Sequence, residues 1–195
     1  MILVGVHGQI GAGKDEVARH LIARYGFVRV GHSDALKAEV AAKFRRTLKA
    51  HLRDVGRLEP WASEDDVTRE IHDALWVHRT GVSRALLQEM GTEVRRADDP
   101  DYWVRAWVAR IQGLERVVAP DVRFPNEAST VRALGGVLMR VVRAGQDQSD
   151  HESELALAGW TDWDVEIDNG GTLQQIREVV DQWARGFPAL KEERP

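Results

Sequence analysis

Cysteine is absent from this chain. That excludes disulfides and thiolate metal sites, and it agrees with a cytoplasmic location. Long apolar runs are absent too. No segment approaches the roughly 18 residues needed to cross a bilayer. The opening MILVGV is too short for a signal peptide and lacks a basic start. There is no excess of basic charge: 27 Lys and Arg stand against 31 Asp and Glu, for a net charge of −4. Such a balance gives no global attraction to nucleic acid or to an anionic membrane. Internal repeats and low-complexity stretches are also missing. What remains is a chain of 195 residues, 43% hydrophobic and 30% charged, enough for one globular domain with a substantial core. Arg far outnumbers Lys, and its forked guanidinium suits a local phosphate-binding pocket.

Short apolar runs alternate with helical patterns. ILVGVHG reads as a strand buried on both faces, followed by a helix over about 13–25 with Val17, Leu21 and Ile22 inward and Gly26 as its stop. FVRVG, RVVAPDVRF, VLMRVV and a short run in DWDVEIDNGG read as the other four strands. SDALKAEVAAKFRRTLKAHL predicts one long helix capped by Ser33 or Asp34. Residues 54–82 are the least readable, with one helix capped by Ser63. SRALLQEMGTEVRRA and DPDYWVRAWVARI predict two more helices, and PNEASTVRALGG another, opened by Pro125. The last helix, TLQQIREVVDQW, has Thr172 and Gln175 as a capping box and Leu173, Ile176, Val179, Val180 and Trp183 on one face, with a frayed tail after Gly186. The alternation predicts a three-layer α/β domain with a mostly parallel five-stranded sheet flanked by helices. The core takes in about 1–34 and 113–186, interrupted by a helical insertion at about 35–112.

Gly8, Gly13 and Lys14 in GVHGQIGAGKDEVARHL match the phosphate-loop pattern G-x-x-x-x-G-K, with a strand before and a helix after. Main-chain N–H groups surround phosphate oxygens only where side chains do not intrude, which explains Gly8, Gly11 and Gly13. Gly8, Gly11, Ala12, Gly13, Lys14 and Asp15 are the candidate ATP contacts. Lys14 supplies a full charge for the β- and γ-phosphates. Asp15 stands where Ser or Thr is usual. Its carboxylate is a candidate Mg²⁺ ligand, direct or through water, and is equally suited to the positive end of the helix dipole.

Asp34 is a candidate to hold an acceptor, to orient a metal-bound water or to cap its helix. Lys37, one turn on, is an acceptor-phosphate candidate or plain surface charge. Arg84 and Arg95 are eleven residues apart, about three turns, and share a face if their helix is unbroken. Arg96 and Gln88 complete this group of acceptor candidates, Gln88 for a base. Asp121 and Arg123 end the third predicted strand. Asp121 is a Mg²⁺ candidate and Arg123 a phosphate candidate, and a structural ion pair between them is the alternative. The spacing of His151, Glu152 and Glu154 is not a recognised zinc pattern. Trp103 and Trp107, four apart, are expected to pack inward.

GKDEVA (13–18), SDALK (33–37), LLQEMGTEVRRADDPDYWV (86–104), PDVRFPNEA (120–128), HESE (151–154) and DNGGTL (168–173) occur in this order. Together they resemble the bacteriophage deoxynucleoside monophosphate kinase family, over most of the chain and least at 45–80. In that family an Asp after the loop Lys is expected. The resemblance implies a P-loop NTPase fold with a helical substrate-binding insertion and a short lid at about 143–156. It also implies Mg²⁺-dependent phosphoryl transfer from ATP to a deoxynucleoside 5′-monophosphate (dNMP), a homodimer, and a location in host cytoplasm if the source is a phage. It strengthens Arg95 as an acceptor contact, makes Arg143 the lid-side phosphate candidate and Glu152 a lid or acceptor contact, and puts Asn169 and Gly170 beside the donor adenine. Phosphomevalonate kinases of the animal type share a weaker form of these landmarks, and PDVRFPNEA argues against them. A nucleotide switch or acceptor-free ATPase is the other alternative. It would carry a hydroxyl after the loop Lys and a water-orienting residue.

Overall fold

The computed structural model describes residues 1–144 and 155–190. The chain divides into two compact units, residues 1–32 with 107–195, and residues 33–106.

The first unit is built on five parallel strands: β1 Ile2–His7, β2 Val28–Arg29, β3 Arg116–Ala119, β4 Val137–Val142 and β5 Val165–Asp168. Their order is β2-β3-β1-β4-β5. Successive side chains alternate between faces, and both faces are apolar. Val4, Val6, Val118, Met139 and Val141 join one core cluster, packed with Val17 and Leu21 of α1 (Lys14–Tyr25). Ile176 and Val180 of the last helix (Leu173–Ala184) belong to that cluster as well. Leu3, Val117, Ala119 and Leu138 join the other, packed with Trp107, Ile111, Ala128 and Val131. This is the expected three-layer arrangement. β1 lies between β3 and β4, so the loop leaving it opens at the carboxyl edge of the sheet where the chain order reverses, the usual ligand crevice of such sheets.

Several sequence expectations shift. Ile22, expected inward, is 38% exposed. β3 stops at Ala119, and Pro120 and Asp121 form a turn rather than strand. The cause is a switch of partner: Val122 N–H donates to Val6 O at 3.2 Å. Leu173 stays exposed, although the Thr172–Gln175 capping box forms as expected. The segment after Gly186 is not frayed up to Leu190. Phe187 packs on the core, Leu190 is buried, and Arg116 holds Ala189 O at 3.0 Å.

The second unit contains α2 Asp34–Lys43, α3 Arg45–Asp54, α4 Glu64–His72, α5 Gly81–Gln88 and α6 Arg95–Asp98. It also takes the first half of α7 Tyr102–Ile111. The single helix expected over α2 and α3 is interrupted at Phe44, although Phe44 N–H still reaches Val40 O at 2.9 Å. Val40, Leu48 and Leu52 on either side of the break enter one core with Leu58, Val67, Ile71, Leu75 and Met90. Ser63 caps α4 through the Asp66 N–H. Two π-helical turns, Asp73–Val77 and Glu89–Val94, widen the helices around α5. α8 Pro125–Ala133 and α9, the last helix Leu173–Ala184, return to the first unit.

A polar seam joins α1 to α9. Asp181 accepts from His20 Nε2 at 2.6 Å and from Tyr25 Oη at 2.7 Å, and Arg24 Nε lies at 3.3 Å. Burial raises the Asp181 pKa, but the His20 and Tyr25 hydrogen bonds and the nearby charges of His20 and Arg24 outweigh it. The carboxyl is held below its ordinary value of 3.8. A depressed carboxyl stabilises the fold above its unfolded pKa, and that contribution is lost as pH falls through the folded one. Asp181→Asn is therefore expected to cost about 1–2 kcal/mol at pH 7. The gap to wild type should close below about pH 4. Urea titrations of both proteins across pH measure it, and a gap unchanged at low pH would show that charge is not the source.

Candidate active site

The loop after β1 is shaped by its glycines. Gly11 has φ 83° and Gly13 φ 104°, left-handed conformations that side chains resist. A β-carbon on Gly8 would stand 2.9 Å from Val141 O, and one on Gly13 2.5 Å from Asn169 Nδ2. Ala12 is buried, and its N–H is used within the loop by Gln9 O at 3.0 Å. Its amide is thus committed, while the helix start remains available. Gly13 O accepts from Glu16 N at 3.0 Å, which begins α1. Lys14 is half-buried and Asp15 exposed at that first turn, and neither has an ion-pair partner among the described residues. The loop therefore presents one ammonium and the positive end of a 12-residue helix, an arrangement suited to polyphosphate.

The turn after β3 carries the segment with Asp121 beside the end of β1. Val122 N–H bonds Val6 O, and His7 Nδ1 lies 2.9 Å from Val122 O. The Asp121 carboxylate is 9% exposed and accepts the His32 N–H at 2.8 Å. Gly31 makes room for it, since a β-carbon there would sit 2.9 Å from Asp121 Oδ2. Arg123 is half-buried in the same turn. Its N–H and that of Phe124 donate to Glu127 Oε2 at 2.8 and 3.2 Å. Glu127, 3% exposed, thus fixes the turn that carries Asp121 and Arg123. The sequence signal for it was available: an acidic residue at the third helical position, two after Pro125, is the reciprocal half of a capping box. Arg143, just past β4, is exposed.

Asn169 lies against the phosphate loop. Its N–H reaches Val142 O at 2.7 Å, and its Nδ2 donates to Ala12 O at 2.8 Å. Gly170 N–H is taken by Asp168 Oδ1 at 2.9 Å. No local sequence pattern announces the Asn169 contact, because its partner is 157 residues away. His32 was also missed. Its buried ring lies against that of Trp107, with centroids 4.0 Å apart and planes tilted by 31°, and neither ring nitrogen has a hydrogen-bond partner among the described residues.

In the second unit, Asp34 and Lys37 are buried at 7% and 2% exposure, with Lys37 Nζ 3.5 Å from Asp34 Oδ1. That excludes the surface-charge reading of Lys37. Asp34 is the first residue of α2, and the N-cap residue, Ser33, makes no side-chain cap bond. Lys37 Nζ also lies 5.7 Å from the Trp76 ring centre. Arg95 is held by Glu39, through Nε at 3.1 Å and Nη2 at 2.6 Å, and lies over the Tyr102 ring at 4.8 Å. The shared face of Arg84 and Arg95 does not follow, because the π-helical turn at Glu89–Val94 separates them and breaks the three-turn count. Arg84 and Gln88 are exposed, and Arg96 is half-buried. Gly91 has its own packing reason: a β-carbon would meet Leu36 Cδ2 at 2.7 Å, and its carbonyl accepts Trp103 Nε1 at 3.2 Å. Glu152 and most of the expected lid lie outside the described residues.

A family model for deoxynucleotide monophosphate kinase matches residues 47–180. A protein of Acanthamoeba polyphaga mimivirus, named as a candidate deoxynucleotide monophosphate kinase, is 30% identical over 92% of this chain and 94% of its own length. The deoxynucleotide monophosphate kinase of Enterobacteria phage T4 is 31% identical over 57% of this chain, and the match spans only 46% of that enzyme. Among solved structures, dephospho-CoA kinase from Campylobacter jejuni matches with a TM-score of 0.47 and 13% identity, covering 97% of this chain and 98% of that one. The family match over more than half of the chain and the near full-length viral relative agree with the order of motifs from the phosphate loop to the last helix, and the chain belongs to the deoxynucleotide monophosphate kinase family.

Proposed function

We propose that this protein transfers the γ-phosphoryl group of ATP to a deoxynucleoside 5′-monophosphate, giving the diphosphate and ADP. The observation that carries the reading is the loop of residues 8–14, with Lys14 at a helix start and without an ion-pair partner among the described residues, in a chain of this family. Transfer between two polyanions asks little covalent chemistry of a protein and much alignment and charge neutralisation. Gly8, Gly11, Gly13 and Lys14 bind the donor polyphosphate in this scheme. Lys14 neutralises charge on the β- and γ-oxygens. Arg123 and Arg143 are the further cations for charge spread over the transferred group. The acceptor is assigned to Asp34, Lys37, Arg84, Gln88, Arg95, Arg96 and Arg123. Within that set the buried Asp34–Lys37 pair is the best supported, since a buried ion pair is costly to keep for stability alone.

A divalent cation fits the residues present. The described residues hold no cluster of three or more His, Cys, Asp or Glu side chains. Mg²⁺ bound with phosphates, however, takes one or two carboxylates and draws its other ligands from phosphate and water. Asp15 and Asp121 are the carboxylates that would hold it. When bound, it supplies neutralisation of the developing phosphate charge. A homodimer and a cytoplasmic location belong to the same reading. In the described residues no helix is long and apolar enough to cross a membrane.

The test is ADP formation from ATP alone, then with each dNMP, then with phosphomevalonate. ATP alone is expected to give little ADP, and at least one dNMP to stimulate release strongly. Acceptor-independent release, or stimulation only by phosphomevalonate, would replace this reading.

A further inference from the structure

We propose that Asn169 is a positioning residue that aims the phosphate loop, rather than a reader of the donor base. The inference deepens the donor-binding reading given above and rests on it. Its starting point is a single contact: the Asn169 side-chain amide donates to Ala12 O at 2.8 Å. A peptide is planar and trans, so its N–H points opposite to its C=O. Holding the Ala12 carbonyl on the Asn169 side therefore turns the Gly13 N–H the other way. The next peptide is fixed likewise, since Gly13 O is taken by the Glu16 N–H at 3.0 Å. Two consecutive N–H groups, of Gly13 and Lys14, are thereby oriented together before any ligand arrives. Such pre-orientation spares a loop the cost of ordering itself around an anion.

The arrangement is tight. Gly13 is left-handed at φ 104°, and the Asn169 amide occupies the place where its β-carbon would be. Asn169 is itself anchored, its N–H bonded to Val142 O at the end of β4. A second brace comes from the same part of the chain: Arg177 of α9 grips Glu16 Oε1 through Nε at 2.9 Å and Nη2 at 2.5 Å. Glu16 is 6% exposed. The segment from Asn169 to Arg177 thus fixes both the loop carbonyl and the first turn of the helix behind it.

A brace and a base contact differ in what they make of the donor base. Calorimetric titration with MgATP, MgGTP and inorganic tripolyphosphate, without acceptor, separates them. In Asn169→Ala, binding of all three is expected to weaken by the same factor, about tenfold for one lost hydrogen bond. Asn169→Asp keeps the size but sets a carboxylate oxygen against the Ala12 carbonyl, and should weaken all three at least as much. It also serves as the informative variant if Asn169→Ala does not fold. With MgATP bound, hydrogen exchange at the Gly13 and Lys14 amides should be faster than in wild type and stay unchanged in β1 and β3. A loss confined to MgATP, with tripolyphosphate unaffected, overturns the brace in favour of base reading. Unchanged affinity for all three ligands overturns it outright. Wild-type protein that binds no triphosphate instead refutes the donor-binding reading on which the proposal stands.

Discussion

Lys14→Met is expected to lower kcat/KM for phosphoryl transfer by about a thousandfold while leaving the protein folded. Removing a single oriented group that stabilises developing charge costs on the order of 10²–10³ in rate, and the proposed scheme, with the Lys14 ammonium at the transferred phosphoryl, puts the loss at the upper end. Folding is expected to survive because Lys14 is half-buried at the start of α1 and makes no ion pair among the described residues. The apolar positions that anchor that helix, Val17, Ala18 and Leu21, are untouched. Steady-state ADP formation with a dNMP acceptor gives the rate, and thermal melting gives the stability control. A loss below tenfold would mean that Lys14 does not face the reacting phosphates. The substitution removes a charge rather than a shape, so the loss should appear in kcat as well as in KM for ATP.

Trp107→Ala should destabilise the first unit by about 3–5 kcal/mol, the usual cost of emptying a large aromatic site. That is a large share of the roughly 5–15 kcal/mol by which domains are stable. Trp107 is fully buried among Leu3, Val30, Ile111 and Val117, and its Nε1 donates to Val30 O at 2.9 Å. The ring also packs against that of His32, whose main-chain N–H holds Asp121. Activity per folded molecule should therefore fall along with stability. Trp61 is the control: it is 80% exposed, and Trp61→Ala should change stability by less than about 0.5 kcal/mol. Urea midpoints for the three proteins settle the comparison. A Trp107→Ala protein within 1 kcal/mol of wild type would contradict the packing described for that face of the sheet.

The two tryptophans show where sequence reading succeeds and where it stops. Trp103 and Trp107 sit four apart on one helix, so helical periodicity alone predicts that they point the same way and inward. It does not predict that Trp103 bonds Gly91 O and Trp107 bonds Val30 O. The carbonyl each indole finds depends on segments far away in the chain. Arg84 and Arg95 share a face only on an unbroken helix, and Glu89–Val94 widens into a π-helical turn between them. The spacing rule is local, and a one-turn change in pitch is enough to void it. Lys37 was ambiguous because charge on a helix is usually solvated. Only the packing around α2 reveals that it is 2% exposed.

The phosphate loop, the alternation of strands and helices, the caps at Ser63 and Thr172 and the family were all present in the order of residues. These depend on interactions within a few positions: a glycine that frees a backbone angle, a side chain that reaches the next turn, an apolar residue that repeats with the pitch of its element. The strand order, the turn that swings Asp121 beside β1, the burial of Asp34 with Lys37 and the grip of Asn169 on Ala12 were decided only when the chain closed on itself. Each joins groups whose meeting depends on how whole elements pack, and packing energy is a property of the assembled core rather than of any short stretch within it.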